Sequence, residues 1–250
     1  MSPADYIVGL SKGLAVLESF DTERQRLSAS VAAQRTGITR AAARRHLLTL
    51  ASMGYLETDG SHFWMTAKIL RFSGSYLASA RLPRVVQPTL NRLAIQIGES
   101  LSAVVLDGDE VVIIGRSGPT RLLAYGLHLG ARLPAHATST GRVLLAAMPK
   151  KGLDAWIKGR DLRRLTPHTI VDTGEFKREV DKVRKEDFCV ADQEHELGVL
   201  ALAVPVRDSA GRVVAALNIV LSSKSRPTAE RLKELVFYLQ DGASELRGLL

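Results

Sequence analysis

The chain has 250 residues, 46% of them hydrophobic, which suits one or two globular domains that each bury a core. It contains no apolar run of the roughly 18 residues that a membrane helix needs, no signal-peptide pattern and a single cysteine, Cys189. We therefore expect a protein of the reducing cytoplasm with no membrane partner, in which Cys189 is an inert buried thiol. The net charge of +8 suits a polyanionic partner, although an excess that is spread along the chain is weak evidence for one.

A first amphipathic helix is predicted over residues 9–20, where apolar side chains recur at the spacing of one helical face. Its apolar positions are Leu10, Leu14, Leu17 and Phe20. We expect this helix to pack behind the helical hairpin that follows it and to complete a small helical core.

Residues 27–55 indicate two short helices joined by a tight turn. Ser28 is suited to cap a helix over residues 29–35, and Gly37 suits a left-handed backbone at the end of that helix. Thr39 is suited to cap a second helix that runs to about residue 53. One face of the second helix is apolar or small, formed by Ala43, Leu47, Leu50 and Gly54, and the opposite face carries Ala41, Arg45 and Thr49, flanked by Arg40 and Arg44.

Positive charge is concentrated in this hairpin, because six arginines and no acidic residue lie between Arg24 and Leu56. A compact first helix with a cationic second helix is typical of helix-turn-helix proteins, whose second helix reads the major groove of double-stranded DNA. The alternative is an ordinary helical hairpin with a solvated basic face. On the first interpretation, the expected DNA contacts are Ser28, Ser30, Thr39, Arg40, Ala41, Ala42, Arg44, Arg45, Ser61 and His62.

A β-hairpin is predicted directly after the second helix. Residues 54–58 and 62–65 have the composition of two short strands, and Asp59-Gly60 between them is a strong hairpin-turn signal. A hairpin in this position is the wing of a winged helix-turn-helix domain, and its tip, with Ser61 and His62, is expected to lie beside the DNA backbone or the minor groove.

The rest of the chain predicts a linker helix and a second domain, which divides the chain into residues 1–66, 67–82 and 83–250. The linker helix is expected over residues 67–80 and ends before Pro83. Antiparallel strands with helices at one face make the fold class α+β. The predicted helices of the second domain are 84–97, 139–147, 174–186 and 228–249, and its predicted strands are 101–106, 110–116, 121–126, 199–207 and 211–221.

A small-ligand site is indicated at the start of the helix predicted from residue 139. A helix N-terminus offers unpaired N–H groups and a partial positive charge, and the small hydroxyl side chains of Ser139 and Thr140 leave room for an anion. His136 is close enough in sequence to bond to the same ligand. The expected apolar surface, suited to the ring of an aromatic carboxylate, is formed by Leu122, Tyr125 and Leu133. The alternative for Ser139 and Thr140 is plain helix capping.

Enzymatic activity is not expected, because no nucleophile lies at a readable spacing from a base. The sequence has no GxSxG, HExxH, phosphate-loop or GxGxxG pattern, so no catalytic residue and no cofactor are assigned. Asp192, Glu194, His195 and Glu196 have the side chains of metal ligands. In a turn between strands, such residues more often form a solvated acidic loop or salt bridges, and no metal site is assigned.

Three segments of the second domain resemble the signature region of the IclR family of bacterial transcriptional regulators. They are GARLPAHATSTGRVLLA at 130–146, VADQEHELG at 190–198 and GRVVAALN at 211–218. Within the family, TRAAARRHLLTLASMGY at 39–55 and RLPAHATSTGRVLLA at 132–146 most resemble the branch that controls aromatic-acid catabolism, namely the protocatechuate, 4-hydroxybenzoate and β-ketoadipate pathways. The resemblance implies a winged helix-turn-helix domain, a linker helix, a GAF-like α/β effector-binding domain, and dimers, often paired as tetramers, on palindromic operators.

The resemblance also assigns the opposite wall of the effector site. By this resemblance, the residues of that wall in this chain are Asp192, Leu200, Ala201, Asn218 and Val220. For Asn218, buried structural hydrogen bonding is the alternative. The sequence departs from the family at Val31, where a Glu commonly completes a capping box, and at Leu200-Ala201, where many members have a cysteine or serine.

The function expected on these grounds is that of a ligand-responsive transcriptional regulator of an aromatic-compound degradation operon. Its effector is expected to be a small aromatic or ring-cleavage carboxylate. The alternative is a DNA-binding protein whose C-terminal domain only oligomerises and senses no small molecule. The sequence leaves open whether the protein activates or represses, which acid it senses, and which operator it binds.

Overall fold

The computed structural model describes residues 5–21, 23–118, 127–223 and 226–250. The chain forms two compact units, residues 1–78 and residues 79–250. Within the described ranges, no helix is both long enough and apolar enough to span a bilayer. The strand predicted at 121–126 lies outside the described residues.

The first unit is a winged helix-turn-helix fold, as predicted. Its helices are α1 (Val8–Glu18), α2 (Ala29–Thr36) and α3 (Arg40–Ser52), and its strands are β1 (Leu27–Ser28), β2 (Leu56–Thr58) and β3 (His62–Met65). The strands form one antiparallel sheet in the order β1-β3-β2, of which β1 was not predicted. The core lies between the helices and the sheet and includes Val16, Leu27, Leu47, Leu56 and Phe63.

Local sequence explains the helix-turn-helix. The Ser28 hydroxyl accepts from the Val31 N–H, which caps α2, and Gly37 after that helix has a left-handed φ of 67°. The Thr39 hydroxyl accepts from the Ala42 N–H and caps α3. All three roles were predicted, because caps and left-handed turns depend on residues that are close in sequence.

The linker region contains two helices, and the second begins earlier than predicted. A 3₁₀ turn over Ala67–Ile69 leads into α4 (Leu70–Ser79), and α5 spans Arg81–Ile97. Ala80 between them has an extended backbone, with φ −66° and ψ 129°. Pro83 therefore lies in the first turn of α5, where its missing N–H costs no helical hydrogen bond. This is why Pro83 did not delay the helix to residue 84.

The second unit is built on a six-stranded antiparallel sheet of order β6-β5-β4-β9-β8-β7. The strands are β4 (Ser100–Asp107), β5 (Glu110–Ser117), β6 (Arg132–Pro134), β7 (Cys189–Asp192), β8 (Val199–Arg207) and β9 (Val213–Ser222). The remaining helices are α6 (Ser139–Ala146), α7 (Lys150–Ile157), α8 (Thr173–Glu186) and α9 (Ala229–Arg247). The short elements β6, β7 and α7 were not predicted.

Helices cover both faces of this sheet rather than the single face expected from the sequence. One core lies between the sheet and α6, α7 and α8, and includes Val143, Trp156 and Phe176. The other lies between the sheet and α5 and α9, and includes Leu90 and Leu239. The central strands are therefore buried on both sides, and their sequences are continuous apolar runs. Such a run does not alternate between apolar and polar residues, so the sequence does not show which face of the sheet each side chain lies on.

Candidate functional site

Helix α3 exposes to solvent most of the side chains that were predicted to contact DNA. Ala43, Leu47 and Leu50 are buried in the core of the first unit. On the other side, Arg40, Ala41, Arg44 and Arg45 are exposed, as is Ser30 on α2, while Ser28 and Ala42 are half-buried and the exposed Thr39 serves as a cap. Within the described residues, the ion pairs of this unit are Arg26–Asp59 and Arg35–Asp21, and neither includes an arginine of α3.

The wing tip is ordered by an acidic side chain that sequence reasoning treated only as a turn residue. The Asp59 carboxylate accepts from the N–H groups of Ser61 and His62, at 2.9 and 2.7 Å. These bonds hold the pKa of Asp59 at about 2. The Ser61 hydroxyl bonds both Asp59 and the His62 ring, so the two predicted contact residues are tied to the turn itself. Arg26 pairs with Asp59 and stacks over the Trp64 ring.

The second unit contains a cavity between the start of α6 and the sheet. It comprises about 640 Å³ of space, part of which is open to solvent. Six predicted residues line it, namely Leu133, Ser139, Thr140, Ala201, Asn218 and Val220. The lining residues that were not predicted are Ser102, Val104, Val111, Ile113, Leu127, Ala137, Thr138, Ala191, Glu194, His195, Glu196 and Val199.

Three residues predicted for this site do not line the cavity. His136 is buried and its Nε2 bonds the Arg163 carbonyl at 2.9 Å. Asp192 accepts from the Ser223 hydroxyl at 3.1 Å and pairs with Arg226. Leu200 packs into the core on the α5–α9 face of the sheet, because successive residues of a strand point to opposite sides and its neighbour Ala201 lines the cavity. Leu122 and Tyr125 lie outside the described residues.

The N-terminus of α6 is fixed against the segment that precedes it. The Thr138 hydroxyl caps the helix by accepting from the Gly141 N–H at 3.1 Å. A Cβ on Gly141 would lie 2.0 Å from the Ala135 carbonyl oxygen, so only glycine allows this approach. Ser139 is 1% exposed, and its hydroxyl borders the cavity rather than capping the helix. The capping role is therefore filled by Thr138, which leaves Ser139 available to a ligand.

Three buried polar atoms of residues that line the cavity have no hydrogen-bond partner among the described residues. They are Ser139 Oγ, Asn218 Oδ1 and His195 Nδ1. Leaving one buried polar group unsatisfied costs about 1–3 kcal/mol, so native proteins rarely do so without a reason. Three such atoms around one cavity indicate a site for a ligand that carries polar groups.

In the acidic loop after β7, Glu194 is buried and Glu196 is exposed, and Glu194 forms a salt bridge, which is one of the two roles that the sequence suggested. Glu194 is paired with Arg142 of α6, whose Nη1 donates to Oε1 at 2.7 Å. Burial opposes the charge on Arg142, but its bonds to Glu194 raise the pKa of the guanidinium above the usual value. Burial likewise lowers the pKa of the neighbouring His195, which is therefore neutral at pH 7. Within the described residues, no three His, Cys, Asp or Glu side chains are grouped as for a metal ion.

The thiol of Cys189 on β7 is buried, as predicted. Burial raises the pKa of this thiol to about 12, so it is protonated at neutral pH. A protonated, enclosed thiol is a poor nucleophile, which agrees with the expectation that it is inert.

Comparison with known proteins assigns both units. The family model described as the IclR helix-turn-helix domain matches residues 9–60, and the one described as the bacterial transcriptional regulator IclR C-terminal domain matches residues 74–247. The chain is 49% identical to the Pca operon regulatory protein of Acinetobacter baylyi over 98% of this chain and 90% of that protein. It is 48% identical to the p-hydroxybenzoate hydroxylase transcriptional activator of the same organism over 98% of this chain and 93% of that protein.

A solved structure resembles the second unit in particular. It is the inducer-binding domain of the PobR transcription factor from Acinetobacter, a double mutant in complex with 3-hydroxybenzoic acid. Its TM-score is 0.64 at 43% identity, over 67% of this chain and 98% of that one. These relatives are transcriptional regulators and not enzymes. The chain belongs to the IclR family of bacterial transcriptional regulators.

Proposed function

We propose that this protein regulates an aromatic-compound degradation operon in response to a small aromatic or ring-cleavage carboxylate, and that the effector binds in the cavity of the second unit. The observation that carries the proposal is a set of three buried polar atoms around one cavity, on Ser139, Asn218 and His195, that have no partner within the described part of the chain. The names of the two relatives from Acinetobacter baylyi support an aromatic pathway. The similarity to the PobR inducer-binding domain, which was solved with 3-hydroxybenzoic acid, supports an aromatic carboxylate as the effector.

The carboxylate of the effector is placed at the start of α6. The charged side chains that line the described part of the cavity are Glu194, whose charge Arg142 balances, and Glu196. An anion there needs hydrogen-bond donors, and the first turn of a helix supplies N–H groups with a partial positive charge. Ser139 adds a hydroxyl donor at the same helix end, whereas the Thr140 hydroxyl donates to Thr138 at 3.5 Å. The ring then packs on apolar side chains of the sheet, namely Val104, Val111 and Ile113, and on Leu133.

DNA recognition is assigned to α3 and the wing. The exposed Arg44 and Arg45 are expected to reach base edges and phosphates in the major groove. One recognition helix covers a short half-site, so the protein is expected to bind a palindromic operator in the cytoplasm as a homodimer, with tetramers formed by two such dimers. A second copy is expected to cover the apolar side chains that α4 exposes, which are Leu70, Phe72 and Tyr76.

Thermal unfolding of the full-length protein with benzoate, hydroxybenzoates and ring-cleavage dicarboxylates tests the proposal. The effector is expected to raise the midpoint temperature in a concentration-dependent way, because it binds the folded state alone. Gel-shift measurements of operator binding with and without that compound then show whether it changes the affinity for the operator. If no carboxylate stabilises the protein and operator binding never responds, the second unit serves only in oligomerisation.

A further inference from the structure

A concentration of positive charge lies on the second unit, away from both the cavity and the recognition helix. Residues 150–164, here called the basic segment, contain six Lys or Arg and two Asp, which gives a net charge of +4 where the whole chain has +8. The six cations are all exposed, and they are Lys150, Lys151, Lys158, Arg160, Arg163 and Arg164. The ion pairs formed among the described residues include none of these six.

Three of the cations lie on the solvent-facing side of α7. The side chains that this helix buries are Leu153, Trp156 and Ile157. At about 100° per residue, the three lysines of the basic segment lie on the remaining side of the helix. Asp154 shares that side, but its carboxylate pairs with Lys177 of α8 at 2.6 Å. The exposed side of α7 therefore presents three cations beside an acid whose charge is already balanced.

The stability of α7 does not explain two of these lysines. Lys150 and Lys151 are in the first turn, where the helix dipole is positive and disfavours cations. The same turn contains no acidic residue, and Pro149 before it supplies no side-chain cap. The two lysines thus lower the stability of their own helix, which points to a role in contacts outside it.

The part of the basic segment that follows α7 is held against the body of the unit. The guanidinium of Arg160 lies over the Trp156 ring, 4.9 Å from its centre, and donates to the Trp156 carbonyl. The backbone carbonyl of Arg163 is bonded by the buried His136 ring at 2.9 Å. Because this backbone is already ordered, a partner that binds the segment does not have to order it first.

The composition of the basic segment favours a nucleic-acid backbone over a protein partner. The centre of a protein–protein interface is rich in aromatic side chains and poor in Lys. None of the large apolar side chains that the described residues expose lies between positions 147 and 168. A phosphate backbone, in contrast, is bound by exposed Lys and Arg without an apolar centre. DNA held by the first unit is also present at a high effective concentration for any second surface of the same molecule.

We propose that the basic segment is a second DNA-contacting surface, which binds the phosphate backbone of double-stranded DNA without reading its sequence. This goes beyond the role of α3 and the wing, to which base recognition is assigned. Contacts to phosphates add the same affinity for every sequence, whereas contacts to base edges make one sequence preferred. The basic segment therefore adds affinity and salt dependence, and leaves the preference for an operator to the first unit.

The test is the triple variant Lys150→Gln, Lys151→Gln, Lys158→Gln of the full-length protein. Its affinity for a mixed-sequence DNA duplex is measured by fluorescence anisotropy between about 50 and 200 mM salt. We expect binding at the lowest salt to weaken at least about tenfold. The slope of log affinity against log salt should fall by about 0.9 for each lysine that contacts a phosphate.

A matched control removes the same charge elsewhere on the second unit. Lys182→Gln, Lys185→Gln, Lys233→Gln changes three exposed lysines of α8 and α9. Acidic residues alternate with the basic ones on α8, so this variant is expected to keep the slope of the wild type. Arg163→Gln, Arg164→Gln leaves α7 intact and is expected to weaken DNA binding in the same direction as the triple variant. Thermal unfolding confirms that each variant is folded.

Three results would overturn the proposal. The first is an unchanged affinity and slope in both basic-segment variants. The second is an equal loss in the control, which would mean that net charge alone is responsible. The third is binding to polyglutamate that depends on the three lysines of α7 while DNA binding does not, which would assign the surface to an acidic protein. None of these results affects DNA recognition by α3, which Arg44→Ala and Arg45→Ala test separately.

Discussion

Arg142 on α6 and Glu194 on the loop after β7 form an ion pair beside the cavity, with side chains that are 1% and 9% exposed. Both terminal nitrogens of the guanidinium donate to the carboxylate, one to each oxygen. The pair joins the helix that is expected to hold the effector's carboxylate to the loop that carries His195. It therefore fixes two walls of the cavity relative to each other.

Removing the cation alone is expected to destabilise the second unit strongly. Arg142→Met leaves Glu194 buried without a counter-charge, which is expected to lower the free energy of unfolding by about 3–5 kcal/mol. The double variant Arg142→Met, Glu194→Leu removes both charges and is expected to recover most of that loss. Urea unfolding of the wild type and both variants measures the free energy of unfolding. Equal stability of the single and double variants would mean that the buried charge is not what destabilises the single one.

Glycine at position 141 is expected to be required for the geometry of the α6 start. Gly141→Ala brings a methyl group against the Ala135 backbone, which cannot move aside as a flexible side chain would. We expect a loss of roughly 1–3 kcal/mol or more in unfolding free energy, together with weakened effector binding. Gly152→Ala on α7 is the control, because its Cβ would meet neighbours at 3.6 Å, an ordinary contact distance. A Gly141→Ala protein that matches wild type in stability and affinity would contradict the proposed packing.

The features that depend on neighbouring residues could be predicted from the sequence. The caps at Ser28 and Thr39 and the turn at Gly37 each involve residues at most three positions apart, and all were predicted correctly. The start of α6 at Ser139 was also predicted from local residues, although the cap is Thr138 and not Ser139 or Thr140. These local signals located both the recognition helix and one wall of the cavity.

The features that depend on residues far apart in sequence could not be predicted from local sequence patterns. Arg142 and Glu194 are 52 positions apart, and nothing local distinguishes their burial from a solvated acidic loop. Leu200 was assigned to the cavity by the resemblance, and because β8 is apolar on both sides, alternation gave no signal that it lies on the other face. His136 was predicted to contact the ligand because it is close to Ser139 in sequence. In the structure its Nε2 bonds instead to the backbone carbonyl of Arg163, which is distant in sequence.

Two arginines of the recognition helix are expected to contribute to operator affinity. Arg44→Ala and Arg45→Ala should each weaken binding, by about 1–3 kcal/mol where the arginine reads a base. Where it contacts a phosphate instead, the slope of log affinity against log salt should fall by about one. Gel-shift titrations at several salt concentrations measure both quantities, with Arg178→Ala, an exposed arginine on α8, as control. An Arg44→Ala, Arg45→Ala double variant with unchanged affinity and slope would exclude α3 as the reader.

The fold of the wing tip is expected to depend on pH through Asp59. The N–H groups of His62 and Ser61 bond its carboxylate and lower its pKa from 3.8 to about 2. A carboxyl whose pKa is lower in the folded state stabilises the fold fully above its unfolded pKa and loses that effect as the pH falls through the folded value. The turn should therefore loosen between about pH 4 and pH 2, seen as shifts of the Ser61 and His62 amide resonances. In Asp59→Asn these shifts should disappear; if they persist, another group titrates.

A negative charge at the start of α6 is expected to block the effector without unfolding the protein. Ser139→Asp places a carboxylate where the effector's own carboxylate is proposed to bind, so like charges would share one helix end. An acidic side chain in the first turn is favourable for the helix itself, which offsets part of the cost of burying a charge at this position. The variant should then bind operator as the effector-free wild type does and fail to respond to the acid.

Ser139→Ala separates the charge from the lost hydroxyl. It removes one donor and adds no charge, so it is expected to weaken effector binding about tenfold, whereas Ser139→Asp should reduce binding below detection. Calorimetry on the full-length protein measures the affinity, and thermal unfolding confirms that each variant is folded. Since Ser139 is 1% exposed, no solvent is available there to screen the added carboxylate from a bound anion. A folded Ser139→Asp protein that binds the acid as tightly as wild type would therefore place the anion site elsewhere in the cavity.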